Sequence, residues 1–171
     1  MSGRVRLPHV DELPTLNRIE LAAAARFAEV GMPEMVTFPT VPLQAFQIQH
    51  AQGLLLVIDQ PVTGFALTDL WDGCLYLVEL DVHPASSGGG RGRLLLQGVM
   101  ELARERSLPW VTLSTFRDVP WNAPFYARVG FEIVEPATLG LRHVAQRHEE
   151  QENGLDVSRR VMMRRSVVTA G

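Results

Sequence analysis

The stretch Ser86-Ser87-Gly88-Gly89-Gly90-Arg91-Gly92-Arg93 joins a strand-like run, CLYLVELDV (74–82), directly to a helix-like one. A strand feeding a glycine-rich turn that opens straight into a helix is a general anion site. The N–H groups of the first helical turn point outward, and the helix dipole adds about half a positive charge there. Glycine suits such a turn because a side chain would hold a phosphate away from the backbone, and because some positions adopt positive φ. Gly88, Gly89, Gly90 and Gly92 meet that need, while Arg91 and Arg93 supply charged forks for phosphate oxygens. A plain connecting loop is the alternative.

Two nucleotide readings fail on particular residues. A P-loop, G-x-x-x-x-G-K-[ST], requires a lysine, and all 16 basic residues are arginine. A dinucleotide fingerprint follows the first strand of a βαβ unit, with an acid ending the next strand. Here the preceding strands read as antiparallel, and WVTLST (110–115) ends without an acid.

The bulk properties exclude further classes. A chain of 171 residues, 46% hydrophobic and 20% charged, fits one soluble domain with its own core. A net charge of −3 offers no footprint for nucleic acid or an anionic membrane. Arg4, Arg6, Asp11 and Glu12 stand where a secretion signal would need apolar residues, and no apolar run is long enough to cross a bilayer. The single cysteine, Cys74, excludes an internal disulfide and a cysteine-based zinc cluster, so a reducing cytoplasm is expected. His9, His50, His143 and His148 show no metal-ligand spacing, and no metal is expected. His83, before a proline at a strand end, reads as a surface residue.

The elements that must position the glycine turn follow from periodicity. Leu13, Leu16, Ile19, Ala23 and Phe27 recur at spacings of three and four, which predicts a helix from Asp11 to about Val30 after a short opening strand at Val5–Leu7. Residues 43–50 form a short helix. LLLVID (54–59), VTGFALTDL (62–70) and CLYLVELDV read as strands joined by turns at Gln60-Pro61 and Asp72-Gly73. A helix spans about 90–105, with Leu95, Val99, Leu102 and Ala103 on its apolar face. WVTLST, a short helix at 123–129, FEIV (131–134), a helix at about 137–150 and RRVMMRRSV (159–167) complete an α/β mixture with an antiparallel first half.

Ser87-Gly88-Gly89-Gly90-Arg91-Gly92 resembles the acetyl-CoA loop, Q/R-x-x-G-x-G/A, of the GNAT superfamily of N-acetyltransferases, with serine at the usual Gln/Arg position. Val82-His83-Pro84 is similar to that family's strand-end V-x-P. VPWNAPFYARVGFEIVE (119–135) resembles its second motif, with matches on Asn122, Tyr126, Gly130 and Phe131. The resemblance implies a single N-acetyltransferase domain over residues 1–171. Its sheet would be mixed and mostly antiparallel, of about seven strands splayed at the fourth and fifth, with helices on both faces. It implies acetyl-CoA as co-substrate and direct acetyl transfer, in a ternary complex, to a primary amine of a small molecule or peptide. The backbone near Leu80 and Val82 would pair with the pantetheine arm, and Ser87 to Arg93 would take the pyrophosphate.

That chemistry sets three tasks: deprotonate an ammonium, stabilise an oxyanion and protonate a thiolate. Tyr126 is the candidate acid, since a phenol of pKa about 10 stays protonated at neutral pH and lies near a thiol; packing of its short helix is the alternative. An N–H near Leu80, freed by a strand bulge, is the candidate oxyanion donor. Glu79 interrupts an apolar strand just before the cofactor-facing residues, which makes it the candidate base. Asp81 shares its face unless a bulge changes the parity, and solvated carboxylates are the alternative for both. Asn122 either contacts the cofactor or caps the helix after it. Residues 26–50 and 135–158, with Phe27, Met32, Met35, Phe38, Phe46 and His143, would line the acceptor site or simply pack. Strand 159–167, read as an edge, could pair across a homodimer. A second functional class is a non-catalytic acyl-CoA-binding or sensing domain, against which Tyr126 argues.

Overall fold

The computed structural model describes residues 3–168. Seven strands form one sheet in the order β1-β2-β3-β4-β5-β7-β6: β1 Val5–Arg6, β2 Leu55–Ile58, β3 Gly64–Trp71, β4 Cys74–Val82, β5 Trp110–Phe116, β6 Glu132–Val134 and β7 Arg160–Ser166. β4 runs parallel to β5, whereas β1–β2, β2–β3, β5–β7 and β6–β7 are antiparallel. The mixed, mostly antiparallel α/β architecture expected from the sequence is therefore present. The chain divides into two compact units, Met1–Thr68 with Val78–Glu101, and Asp69–Leu77 with Leu102–Gly171.

The first unit holds helix α1 (Leu13–Ala24), helix α2 (Leu43–Ala51) and most of helix α3 (Arg91–Glu105). Leu13, Leu16 and Ile19 of α1 meet Phe46 of α2 and the alternate residues Leu55, Val57, Phe65 and Leu67 of β2 and β3 in one buried cluster. The Phe46 and Phe65 rings meet edge to face at 5.3 Å. Each such side chain contributes about 1.5–3 kcal/mol by leaving water. A Cβ on Gly98 would lie 2.7 Å from Val5 Cγ1, so this mid-helix glycine lets α3 approach β1 closely. The single helix predicted over 11–30 is divided. Tight 3-10 turns at Val10–Glu12 and Ala25–Val30 flank α1, and Gly31, at φ +71°, ends the run. Another such turn, at Pro33–Thr37, carried no periodic signal.

The second unit begins at the tip of the β3–β4 hairpin. Asp72 and Gly73 have φ of +51° and +75°, the two-residue turn whose twist matches the strands it joins. Here also lie helix α4 (Ala123–Arg128), the single turn α5 (Pro136–Leu139) and helix α6 (Leu141–Glu152). The helix predicted over 137–150 is broken at Gly140, φ +146°, beyond which the Asp72 carboxylate accepts from the N–H groups of Arg142 and His143. One correction concerns β7. It lies between β5 and β6, paired on both sides, and is not an edge, so the stated reason for pairing across a dimer lapses. Two of its arginines are engaged: Arg160 with Glu150, and Arg164 with Glu132 and the Trp110 ring.

Candidate active site

Glu79 to Arg93 belong to the first unit, Asn122 and Tyr126 to the second. In the glycine stretch, Gly88 and Gly90 have φ of +82° and +76°, a backbone region that side chains disfavour. A Cβ built on either would meet nothing within 4 Å, so the backbone faces open space. The first bond of α3 runs from Leu94 N–H to Gly90 O, which leaves the N–H groups of Arg91, Gly92 and Arg93 without a helical acceptor. An open, positive-φ glycine turn leading into a 15-residue helix fits a pyrophosphate.

Two residues of the stretch do something other than expected. Ser87 is used by the turn itself: its N–H and its hydroxyl both donate to Pro84 O, at 3.2 and 2.8 Å. The amide cradle therefore starts at Gly88 rather than Ser87. Arg91 Nε donates to Asp59 Oδ2 at 2.6 Å and Arg91 Nη1 to Ser86 O at 3.2 Å, so its guanidinium is held by the protein. Arg93 is exposed. His83 Nδ1 accepts from Ala85 N–H, a role in the turn, while His83 N–H donates to Thr63 O. Leu80 and Val82 are half-buried on β4.

The carboxylates of β4 are not simply solvated. Oxygens of Glu79, Asp81 and Glu20, the last from α1, lie within 4.8 Å of one another. Glu79 and Asp81 thus bring their carboxylates to one cluster, as two residues on one strand face do. Burial, then repulsion from Glu79, pushes Glu20 up to about 7, although Val41 N–H donates to its carboxylate. Burial, and then the charge and hydrogen bond of Glu79, raise Asp81 well above the usual carboxylate range. Asp81 Oδ2 is buried without a hydrogen-bond partner. Such a cluster retains a proton at neutral pH and gains from an arriving cation, whether an ammonium or a hard metal ion.

Glu20 is held above its ordinary 4.5, so its favourable protonated form is complete below about 4.5 and is lost as pH rises through about 7. Glu20→Gln is expected to melt a few degrees higher than the native chain at pH 8, the difference closing by pH 4.5, as read by thermal melts across that range.

In the second unit, Tyr126 is buried, its ring edge-on to Phe125 at 5.2 Å and to Phe131 at 5.6 Å. Phe131 N–H donates to Tyr126 O around Gly130, φ +95°. Asn122 Oδ1 accepts from the Thr115 hydroxyl at 2.6 Å and from Phe116 N–H. Its side chain makes no capping bond to α4, so it ties the start of that helix to β5 instead. His143 is fully buried: Nδ1 lies 2.7 Å from Asp72 Oδ2 and Nε2 lies 2.8 Å from Thr112 Oγ1, which makes it part of the core.

A sequence model of the acetyltransferase (GNAT) family matches residues 20–131, about two thirds of the chain. The chain belongs to the GNAT acetyltransferase family. Acetyl transfer from acetyl-CoA follows from that membership. Three solved structures share the fold. Ard1 from Thermoplasma volcanium aligns over 99% of this chain and 100% of its own, with 18% identity and a TM-score of 0.68. The ribosomal-protein-S18-alanine N-acetyltransferase of Escherichia coli aligns over 99% and 97%, with 18% identity and a TM-score of 0.68. N-acetylglutamate synthase from Neisseria gonorrhoeae, solved with coenzyme A and N-acetyl-glutamate, aligns over 99% of this chain and 36% of its own, at 17% identity and a TM-score of 0.71.

For this GNAT acetyltransferase, Glu20 and Asp59 are the residues that sequence reading missed. Glu20 looked like one more polar position on an amphipathic helix. Its signal, a single acid one residue beyond the buried Ile19, is visible only once α1 is set beside β4. Among the described residues, no helix is long and apolar enough to cross a membrane.

Proposed function

We propose that residues 1–171 act as one N-acetyltransferase domain that moves acetyl from acetyl-CoA directly to a primary amine of a small molecule or peptide. The observation that carries the amine acceptor is the Glu20–Glu79–Asp81 cluster, a proton-sharing acidic group on the strand that leads into the glycine loop. The names of two similar proteins, a ribosomal-protein-S18-alanine N-acetyltransferase and an N-acetylglutamate synthase, also point to amine acceptors.

The chemistry divides among the chain's own groups. Gly88 to Arg93 offer backbone N–H groups and open space to the pyrophosphate. Leu80 and Val82 offer strand backbone to the pantetheine arm, and a backbone N–H near Leu80 takes the developing oxyanion. Glu79 accepts the proton that the ammonium releases, beside the carboxyl groups of Asp81 and Glu20. The free amine forms a bond to the acetyl carbon, the carbon–sulfur bond breaks as Tyr126 gives its proton to the departing sulfur, and the second proton lost from the nitrogen restores the phenol. Asn122 holds the start of the tyrosine's helix and adds a contact to the cofactor.

Isothermal titration with acetyl-CoA, coenzyme A and ATP tests the loop. Micromolar binding of acetyl-CoA with ATP silent is expected. Gly90→Val should weaken acetyl-CoA about tenfold or more, because a β-branched residue resists φ +76° and its side chain would fill the open cradle. An amine screen monitored by free thiol then tests transfer. Binding without thiol release from any amine would favour an acyl-CoA sensor instead.

A further inference from the structure

We propose that Asp59 is a positioning residue for the pyrophosphate loop, acting through Arg91. This rests on the reading of that loop given above. Asp59 stands in the β2–β3 turn, 32 residues before Arg91. Its backbone is fixed from two sides: its N–H donates to Arg4 O at 3.2 Å, and its carbonyl accepts from Arg6 Nη2 at 2.8 Å. It adopts φ +68°, which an aspartate tolerates better than most residues. Its Oδ2 accepts from the Thr63 hydroxyl at 2.5 Å and from Arg91 Nε at 2.6 Å.

Arg91 carries this order into the loop. From Asp59 its guanidinium reaches Ser86 O, at the start of the glycine stretch. It also fills the space beside Gly89, where a Cβ would lie 2.7 Å from Arg91 Nη1. One side chain therefore braces the loop at both ends, while Gly88 and Gly90 keep their faces open. Side-chain accessibilities of 27% for Arg91 and 17% for Asp59 put the pair partly out of water, where a charge-assisted bond is worth more than on the surface. Arg91 thus serves the phosphate by holding the backbone donors in place rather than as a free cation. Asp59 fixes where Arg91 goes.

A merely structural role is separated from this one by a ligand without the diphosphate. Binding of acetyl-CoA and of S-acetylpantetheine would be measured by ligand-observed NMR for the native chain, Asp59→Asn, Arg91→Gln and the double variant. The expected result is that Asp59→Asn weakens acetyl-CoA about tenfold, in keeping with one charge-assisted hydrogen bond, and leaves S-acetylpantetheine unchanged. Arg91→Gln should give a similar loss, and the double variant no further loss, since the two side chains act as one unit. Equal weakening of both ligands overturns the proposal, because the change would then be one of general structure. Unchanged or tighter acetyl-CoA binding by Asp59→Asn also overturns it, the latter by making Asp59 a competitor of the phosphate. Failure of the native chain to bind acetyl-CoA would be seen before any variant, and would instead overturn the reading of the loop.

Discussion

Replacing Tyr126 by phenylalanine is expected to lower the rate of acetyl transfer about 100-fold or more, with acetyl-CoA binding within about twofold of the native chain. The ring packs against Phe125 and Phe131, and phenylalanine retains both of these contacts while removing the hydroxyl. A thiolate that must leave unprotonated raises the barrier of the step that breaks the carbon–sulfur bond, while the diphosphate contacts are untouched. The effect should therefore fall on kcat and leave the Kd for acetyl-CoA alone. Single-turnover release of free thiol at saturating acetyl-CoA checks this. A variant as fast as the native chain would mean that the phenol only packs, and that solvent protonates the sulfur.

The second large effect concerns stability. His143→Ala is expected to destabilise the chain by about 3–5 kcal/mol, and at about 2–4 °C per kcal/mol for a chain this size the melting temperature falls by roughly 10 °C. The imidazole is fully buried between Asp72 and Thr112, with the rings of Trp71 and Tyr76 each edge-on to it at 5.7 Å. Alanine leaves a cavity beside those two stacked rings and strands the Thr112 hydroxyl, which is itself fully buried. Asp72 fares better, because it still accepts from two backbone N–H groups. Thermal and urea unfolding of the variant, with Thr112→Val in the same background, separates the cavity from the orphaned hydroxyl. A loss below about 1 kcal/mol would rule out a tightly packed ring at this position.

Much of the site's outline was legible because its signals are local. Gly88 to Gly92 sit next to one another and run into a helix with a clear apolar stripe, so the loop announces itself within ten residues. Asn122, Tyr126, Gly130 and Phe131 likewise fall within a single turn–helix–turn. What stayed hidden depends on partners far apart in the chain. Nothing in the local pattern says that Arg91 meets Asp59, or that Glu20 meets Glu79 and Asp81, since a charged residue on an exposed-looking face reads the same whether or not an opposite element covers it. The break at Gly140 was hidden for a related reason: apolar spacing continues on both sides of it, and the cause lies in a hairpin tip about seventy residues earlier. β7 was misread because arginines in a strand suggest solvent. Arg160 instead lies over the Phe116 ring and pairs with the buried Glu150, which also accepts from the Ser114 hydroxyl at 2.5 Å. Strand order is a tertiary choice, and the alternation within a strand does not encode it.

The hairpin tip has a meaning for how this chain can vary. A Cβ at position 140 would run into the Asp72 carboxylate, and position 140 also has φ +146°, so glycine there and aspartate at 72 exclude most alternatives at each other's place. The same carboxylate holds the ring of His143. Positions 72, 140 and 143 should accordingly be inherited together: descendants that drop the aspartate are released to change the histidine, whereas glycine at 140 should persist, because its φ strains any side chain even where a smaller residue at 72 makes room. The three sites form one unit of variation, though position 72 lies about seventy residues before the other two.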